Sequence, residues 1–516
     1  MRVVDLFERG VSMFPDRACL VEGKTSRSYA EVKARVEALA GALHDLAGAV
    51  DERCSIIAPN SAIAIECMLA IYRAGKVSVP LSAKSGVAEN AHVARQGEVT
   101  TLLFHSSLRL HVEELKKECP GICRFICMDA PQLGAEDAEA LMRLGKPAPP
   151  RLTPDNRRLV GIYSTGGTTG MPKGVMFNSL MWETMAANLF AVMPCAEGEI
   201  VYLMITPFTH AAGTTGQVLF GKGATIVIQN GFNAEAVIDA IEKEKVTHLF
   251  LPPTAIYMLL AHPGVEKRDF SSLKTFLYAA SPMSVQKLRE CIKVFGPVMF
   301  QSWGQTEAPM FCTCLTEKEH VEALDGHEHR LASCGRAGVF TPVAVMADDG
   351  SLLPDGERGE LVVGGNLVTS GYYKNAEATA SATRNGWHRT GDVGYRDKDG
   401  FFYIVDRLKD MIITGGFNVF PGEVEQVIWS HAAVKECAVV GVPDEKWGEA
   451  VKAVIEIKPG ASVTEAEIMA LCKERLGSVK TPKSVEFWDE LPRTPVGKVS
   501  KKEIRARFWK GHARAI

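Results

Sequence analysis

Ser164-Thr165-Gly166-Gly167-Thr168-Thr169-Gly170-Met171-Pro172-Lys173-Gly174 follows directly on Leu159-Val160-Gly161-Ile162-Tyr163, an apolar run of the length of a buried strand. The glycines let the backbone turn its N–H groups inward, the Ser and Thr hydroxyls add donors, and Lys173 adds a positive charge. Together they make a cradle for the oxygens of a nucleotide triphosphate. The order departs from G-x-x-x-x-G-K-[ST], because Pro172 stands directly before the lysine and Gly174 after it. A different nucleotide chemistry is implied.

On either side of this stretch the chain alternates. Tyr29 to Leu46 carries apolar residues at helical spacing, and Ser55 to Ala58 followed by Ala62 to Tyr72 reads as a strand and then a helix. Pro147, Pro149, Pro150 and Pro154 form a stiff connection into the loop strand. Beyond it, Ala234 to Glu244 and Val285 to Phe295 read as helices, and His248 to Leu251 and Leu273 to Ala279 as strands. Repeated strand–helix units predict an α/β fold with mainly parallel sheets and helices on both faces. Asp399-Gly400 predicts a tight turn before the strand Phe401 to Val405. The charged break Arg407-Leu408-Lys409-Asp410 then marks a boundary. Residues 1–406 form a large N-terminal domain in this reading, 407–410 a hinge and 411–516 a small mobile α+β domain. In the last, Val424, Val427 and Ile428 give a helix face, and Thr464-Glu465-Ala466-Glu467 is a capping box.

Composition narrows the function classes. A length of 516 residues, 46% hydrophobic and 23% charged, provides for a large core and more than one domain. A net charge of −3 without a basic block gives no reason to expect nucleic acid. Thirteen scattered cysteines fit reduced thiols in a cytoplasmic compartment better than a disulfide framework. Asp5, Glu8 and Arg9 interrupt the N-terminus, so no targeting segment is expected, and Glu66 and Pro252-Pro253 break the longest apolar runs, so no integral membrane segment is expected. Cys312, Cys314, His320, His327, His329 and Cys334 lie close in sequence, but Cys-x-Cys lacks the usual zinc spacing and the intervening residues read as a solvated loop.

Four further stretches, Trp303-Gly304-Gln305-Thr306-Glu307, Trp387 to Asp392, Asp406 to Asp410 and Pro492 to Lys498, stand in order after the glycine loop. With them the chain resembles, over nearly its whole length, the adenylate-forming superfamily of acyl-CoA synthetases, luciferases and peptide-synthetase adenylation domains. The resemblance implies an enzyme that joins a carboxylic acid to the α-phosphate of ATP, releases pyrophosphate, and passes the acyl group to a thiol such as coenzyme A. Thr165, Thr168, Thr169 and Lys173 would hold the β- and γ-phosphates, with Ser164, Gly166, Gly167 and Gly170 completing the cradle. Glu307, together with Thr168, would bind Mg2+, a hard cation suited to oxygen ligands, and Thr306 would donate to the α-phosphate. Trp303 would stack on adenine, with Ala280 and Ser281 on the other side, and Asp392 and Arg407 would fix the ribose. Lys498 would bridge carboxylate and α-phosphate in the first half-reaction only. Rotation about Lys409 would then replace it with the Gly415-Gly416 loop, which helps form the thiol tunnel.

The acid pocket implied by the same resemblance is lined by Trp182, Phe208, His210, Ala212, Gly213, Ala279, Ala280, Ser302 and Met310, with His210 beside the reactive carboxylate. These residues favour an uncharged fatty or aromatic acid. The residue after Phe208 is Thr209, not the aspartate that binds an amino group in peptide-synthetase domains, so amino acids are disfavoured. Three functions remain open: an acid–CoA ligase, expected because the chain ends soon after Lys498; a stand-alone enzyme loading a carrier protein; and a catalytically silent nucleotide-binding protein. A homodimer is an admissible assembly.

Overall fold

The computed structural model describes residues 1–47, 51–165, 171–193, 195–444, 446–494 and 498–510. Four sheets organise them. A nine-stranded sheet runs in spatial order 336–337, 308–315, 299–305, 275–278, 248–251, 201–204, 225–228, 18–22 and 25–28. Its middle is parallel and only the outer strands turn antiparallel. Alternation along the strands sends side chains to opposite faces. Tyr202, Met204, Phe250, Leu277 and Phe300 join one core, and Leu203, Leu249, Phe276, Tyr278 and Met299 the other. Both faces are therefore covered, as the α/β pattern predicts.

A seven-stranded sheet carries the glycine-loop strand, Leu159–Ser164, beside the parallel strand Val77–Pro80. The strand after the loop, Gly174–Asn178, returns antiparallel to it. The loop thus closes a hairpin, unlike a strand-to-helix phosphate loop. The helix Ser179–Val192 begins only afterwards, capped by Asn178, whose Oδ1 accepts the Met181 N–H at 2.9 Å. The helix Ala62–Arg73 is buried all round, from Ala62 through Tyr72, which explains its nearly unbroken apolar sequence.

The third sheet, 343–346, 359–363, 383–384, 387–396 and 402–407, is antiparallel throughout, whereas the sequence predicts mainly parallel pairing. Its strands are joined by turns and short excursions, without the crossover helices that parallel pairing needs. The Asp399-Gly400 turn is here, with Gly400 at φ 86°. The predicted strand Leu273 to Ala279 is shorter than expected, Thr275–Tyr278, because Ala280 turns into the left-handed region at φ 78°.

The fourth sheet, formed by 412–414, 417–419, 434–444, 448–457 and 484–487, builds a separate small lobe. Val424 and Ile428 of the helix Pro421–Trp429 pack on one face with Ile468 and Cys472. Ile504 of the helix Lys501–Trp509 packs on the other with Val440 and Leu491. The capping box at Thr464 forms, with the Glu467 N–H donating to Thr464 Oγ1 at 3.3 Å and the Thr464 N–H to Glu467 Oε2 at 2.7 Å. Polar contacts that tie this lobe to the large one include Arg358 Nη1 to Glu423 Oε1 at 2.9 Å and the Gly422 N–H to Asp406 Oδ2 at 2.5 Å.

Candidate active site

The mouth of the glycine loop continues its hairpin pairing. Ser164 stands opposite Gly174, the Thr165 N–H donates to the Lys173 carbonyl at 3.0 Å, and the Lys173 N–H to Thr165 Oγ1 at 3.2 Å. Gly166, Gly167, Thr168, Thr169 and Gly170 lie outside the described residues. The Lys173 ammonium sits 5.0 Å from the centre of the Tyr372 ring, a cation–π distance. The Tyr372 hydroxyl donates to Glu307 Oε1 at 2.7 Å. One aromatic residue therefore links the loop lysine to the buried carboxylate. Burial, reinforced by the Glu307 charge, raises the Tyr372 pKa, which keeps the hydroxyl a donor.

Thr306 and Glu307 occupy the turn between the antiparallel strands 299–305 and 308–315. Gly304 is needed there, since a Cβ would fall 2.1 Å from the Met310 carbonyl oxygen, and Met310 itself adopts φ 57°. Gln305 braces the turn: its Nε2 donates to the Thr390 carbonyl at 3.0 Å, and its Oε1 lies 3.1 Å from His388 Nε2. Burial lowers the His388 pKa, with Glu307 and Glu360 opposing. Glu307 is a hard oxygen donor held in place by Tyr372, a fit for Mg2+.

Asp392 is the second anchor. Its Oδ2 accepts the Trp303 indole N–H at 2.9 Å, and its Oδ1 pairs with Arg407 Nε at 3.0 Å. Strand register produces this, since Asp392 stands opposite Arg407 in the third sheet. Lys498, from the far end of the chain, reaches the same place. Its amine is pushed down to about 8 by burial and by the Arg407 guanidinium, with Asp392 pulling the other way. A turn fixes its backbone: the Thr494 N–H donates to the Lys498 carbonyl at 2.7 Å, and the Lys498 N–H to Thr494 Oγ1 at 3.2 Å. Ala280, strained and exposed, and half-buried Ser281 follow the strand Thr275–Tyr278, which pairs directly with Trp303's strand in the nine-stranded sheet.

Most of the predicted acid-pocket residues fall within a single core, whereas His210 and Ala280 are exposed. Trp182, Phe208, Ala212, Ala279 and Met310 belong to that core, and Gly213 and Ser302 are buried. Gly213 has a backbone reason of its own, because a Cβ would meet the Phe208 carbonyl oxygen at 1.5 Å. Exposed His210 stands at the N-cap position of the helix Ala211–Leu219 without a capping hydrogen bond, its Nδ1 3.0 Å from Thr209 Oγ1. The surrounding protein and the Lys84 ammonium lower its pKa, so it is neutral at pH 7. Trp182 Nε1 and Ser302 Oγ have no hydrogen-bond partner among the described residues.

Gly415 and Gly416, at φ 56° and 82°, form the two-residue turn of a hairpin on the small lobe. Both are exposed, next to Ile413, Phe417 and Trp447, which are 51%, 60% and 42% exposed. Lys409 lies in the 3-10 turn Leu408–Asp410, and its side chain is outside the described residues. The cysteine–histidine cluster resolves into core and surface. Cys312 and Cys314 are buried, and His320 bonds to the Tyr278 hydroxyl and the Thr316 carbonyl. Among the described residues no group of three or more His, Cys, Asp or Glu could hold a metal ion, and no helix is long and apolar enough to cross a membrane.

The comparisons agree with this construction. The family described as AMP-binding enzyme matches residues 7–373, and the AMP-binding enzyme C-terminal domain matches 423–498. The chain belongs to the AMP-binding enzyme family. It is 35% identical over 505 residues to the feruloyl-CoA synthase of an Amycolatopsis species, covering 97% of this chain and 98% of that one. It is 43% identical over 372 residues to the medium/long-chain-fatty-acid–CoA ligase FadD8 of Mycobacterium tuberculosis, covering 71% of this chain and 64% of that relative, less than two thirds of its length. The ATP-bound structure of MatB from Rhodopseudomonas palustris superposes with a TM-score of 0.88 at 26% identity, covering 99% of this chain and all of that one. Curated relatives of this enzyme are thus acid–thiol ligases.

Proposed function

We propose that the protein is an ATP-dependent carboxylic acid–CoA ligase acting on a fatty or aromatic acid. A carboxylate oxygen attacks the α-phosphorus of ATP, the bond to the bridging oxygen breaks, and pyrophosphate leaves an acyl-adenylate. The CoA sulfur then attacks its carbonyl, AMP leaves, and a thioester remains. The observation that carries this reading is that Lys498, from the small lobe, stands within electrostatic reach of Asp392 and Arg407, the pair to which the Trp303 indole is bonded.

Each residue then has work to do. Lys173 and the glycine loop receive the pyrophosphate end, Asp392 and Arg407 the ribose, and Trp303 and Ala280 the adenine. Thr306 donates to the α-phosphate, and Lys498 neutralises the carboxylate–phosphate junction by position and charge. Mg2+, when bound, neutralises phosphate oxygens, and Glu307 with Thr168 would hold it. Turning about Lys409 would bring the exposed Gly415-Gly416 loop inward, where its glycines admit a thiol arm. The acid class is supported by the apolar pocket core and by relatives whose names divide between fatty and feruloyl substrates.

The test is a panel of fatty and aromatic acids scored by AMP release, with CoA or a holo-carrier protein as acceptor. AMP and thioester formation with CoA is expected. Turnover with the carrier alone would favour the carrier-loading reading. Absence of acid-dependent pyrophosphate exchange would leave only nucleotide binding, against which Lys173, Glu307, Asp392 and Lys498 all argue.

A further inference from the structure

The segment 369–373 crosses the exit of the glycine loop and joins it to the Glu307 turn. Three bonds hold it to the strand Gly174–Asn178: the Tyr373 N–H to the Gly174 carbonyl at 2.8 Å, the Met176 N–H to the Gly371 carbonyl at 3.0 Å, and the Thr369 hydroxyl to the Met176 carbonyl at 2.7 Å. The Thr369 N–H donates to the Glu307 carbonyl at 2.8 Å. Tyr372, 9% exposed, lies among these bonds and uses both parts of its side chain. Its ring centre is 5.0 Å from the ammonium of exposed Lys173, and its hydroxyl donates to Glu307 Oε1 at 2.7 Å.

Both contacts suit charges that must stay available to a ligand. A carboxylate partner would compete with phosphate for the lysine, whereas a ring face holds an ammonium by its quadrupole and puts no anion in the phosphate's place. A phenol donating to one carboxylate oxygen fixes the carboxylate and leaves the second oxygen for a hard cation. We propose that Tyr372 is a positioning residue for the first half-reaction, its ring seating Lys173 and its hydroxyl orienting Glu307, so that one side chain sets both groups that meet the leaving pyrophosphate. The inference rests on the ligase reading, in which the bond from the carboxylate oxygen to the α-phosphorus forms, the bridge to the β-phosphate breaks, and pyrophosphate takes the electron pair. Tyr372 keeps its proton throughout, as its burial beside the Glu307 charge favours.

The experiment measures ATP binding by calorimetry without acid, in Mg2+ and in EDTA, and times the two half-reactions separately, for Tyr372→Phe and Tyr372→Leu. Phe keeps the ring and loses the hydroxyl. Its affinity for ATP in EDTA should stay within about twofold of the parent, because the seat of Lys173 survives. The gain in affinity conferred by Mg2+ should shrink about tenfold or more, the scale of one hydrogen bond to a charged group, and the Mg2+ concentration for half-maximal pyrophosphate exchange should rise by a similar factor. Leu loses both contacts and should in addition bind metal-free ATP about three- to fivefold more weakly, the scale of an exposed cation–π contact. Transfer of supplied acyl-adenylate to CoA, a step without pyrophosphate, should stay within about twofold of the parent in both variants. An undiminished Mg2+ gain in Phe overturns the hydroxyl's role, and parental metal-free binding in Leu overturns the ring's. Equal slowing of both half-reactions in both variants would make Tyr372 a structural residue and overturns the proposal. A parent without acid-dependent pyrophosphate exchange overturns the ligase reading instead, and the calorimetry still decides whether Tyr372 serves Lys173 and Glu307.

Discussion

Asp392 is shared at both oxygens, by the Trp303 indole and by Arg407, so the site's geometry hangs on single hydrogen bonds to one buried carboxylate. Trp303→Phe keeps a ring in place but strands Oδ2. Losing a hydrogen bond to a charged group costs about 1.5–3 kcal/mol, so KM for ATP should rise about tenfold or more in steady-state assays, with a smaller change in kcat. Lys498 gives a pH signature. Its pKa lies below the ordinary lysine value, at about 8. The working form is the ammonium, present below that pH and lost above it. The kcat/KM for adenylation, which reports the free enzyme, should therefore fall as pH rises through about 8. A profile flat to pH 10 would contradict this. Trp303, Asp392, Arg407 and Lys498 were legible because each sits in a short recognisable stretch. Tyr372 was not. Its place between Lys173 and Glu307 arises from pairing of Tyr372 with Val175, some two hundred residues away, and the only local signal is an aromatic pair after Gly371.

Whole elements were easier to read than their pairing. Short apolar runs such as His248–Leu251 and the capping box at Thr464 carry their structure locally. The direction of pairing is harder, because an apolar strand of the antiparallel third sheet such as Val343–Met346 reads like the parallel strand Val201–Met204. The helix Ala211–Leu219 shows how an element can constrain a site from outside it. Gly213 reads as a pocket residue in sequence, yet its missing side chain is demanded by the Phe208 carbonyl. Gly213→Ala must shift backbone against backbone, and we expect a loss of about 2–4 kcal/mol in denaturant unfolding. An Ala variant as stable as the parent would return Gly213 to a purely substrate-facing role.

At the scale of the molecule, the large lobe is tied to the small lobe by Asp406 of its last strand, whose Oδ2 accepts the Gly422 N–H, and by Arg358 with Glu423. These contacts favour the arrangement in which Lys498 stands within electrostatic reach of Asp392, and they must break if the lobe turns. Asp406→Ala should slow adenylate formation about three- to tenfold, while thioester formation from supplied acyl-adenylate stays level or rises. Equal slowing of both steps in single-turnover kinetics would remove the tie from the cycle. The central claim, that the small lobe delivers Lys498 to one half-reaction and withdraws it for the other, is tested most directly by Lys498→Ala with the two half-reactions timed separately. Adenylate formation should fall by on the order of 100-fold or more, and transfer of a supplied acyl-adenylate to CoA should stay within about threefold of the parent. Equal loss of both steps would contradict it.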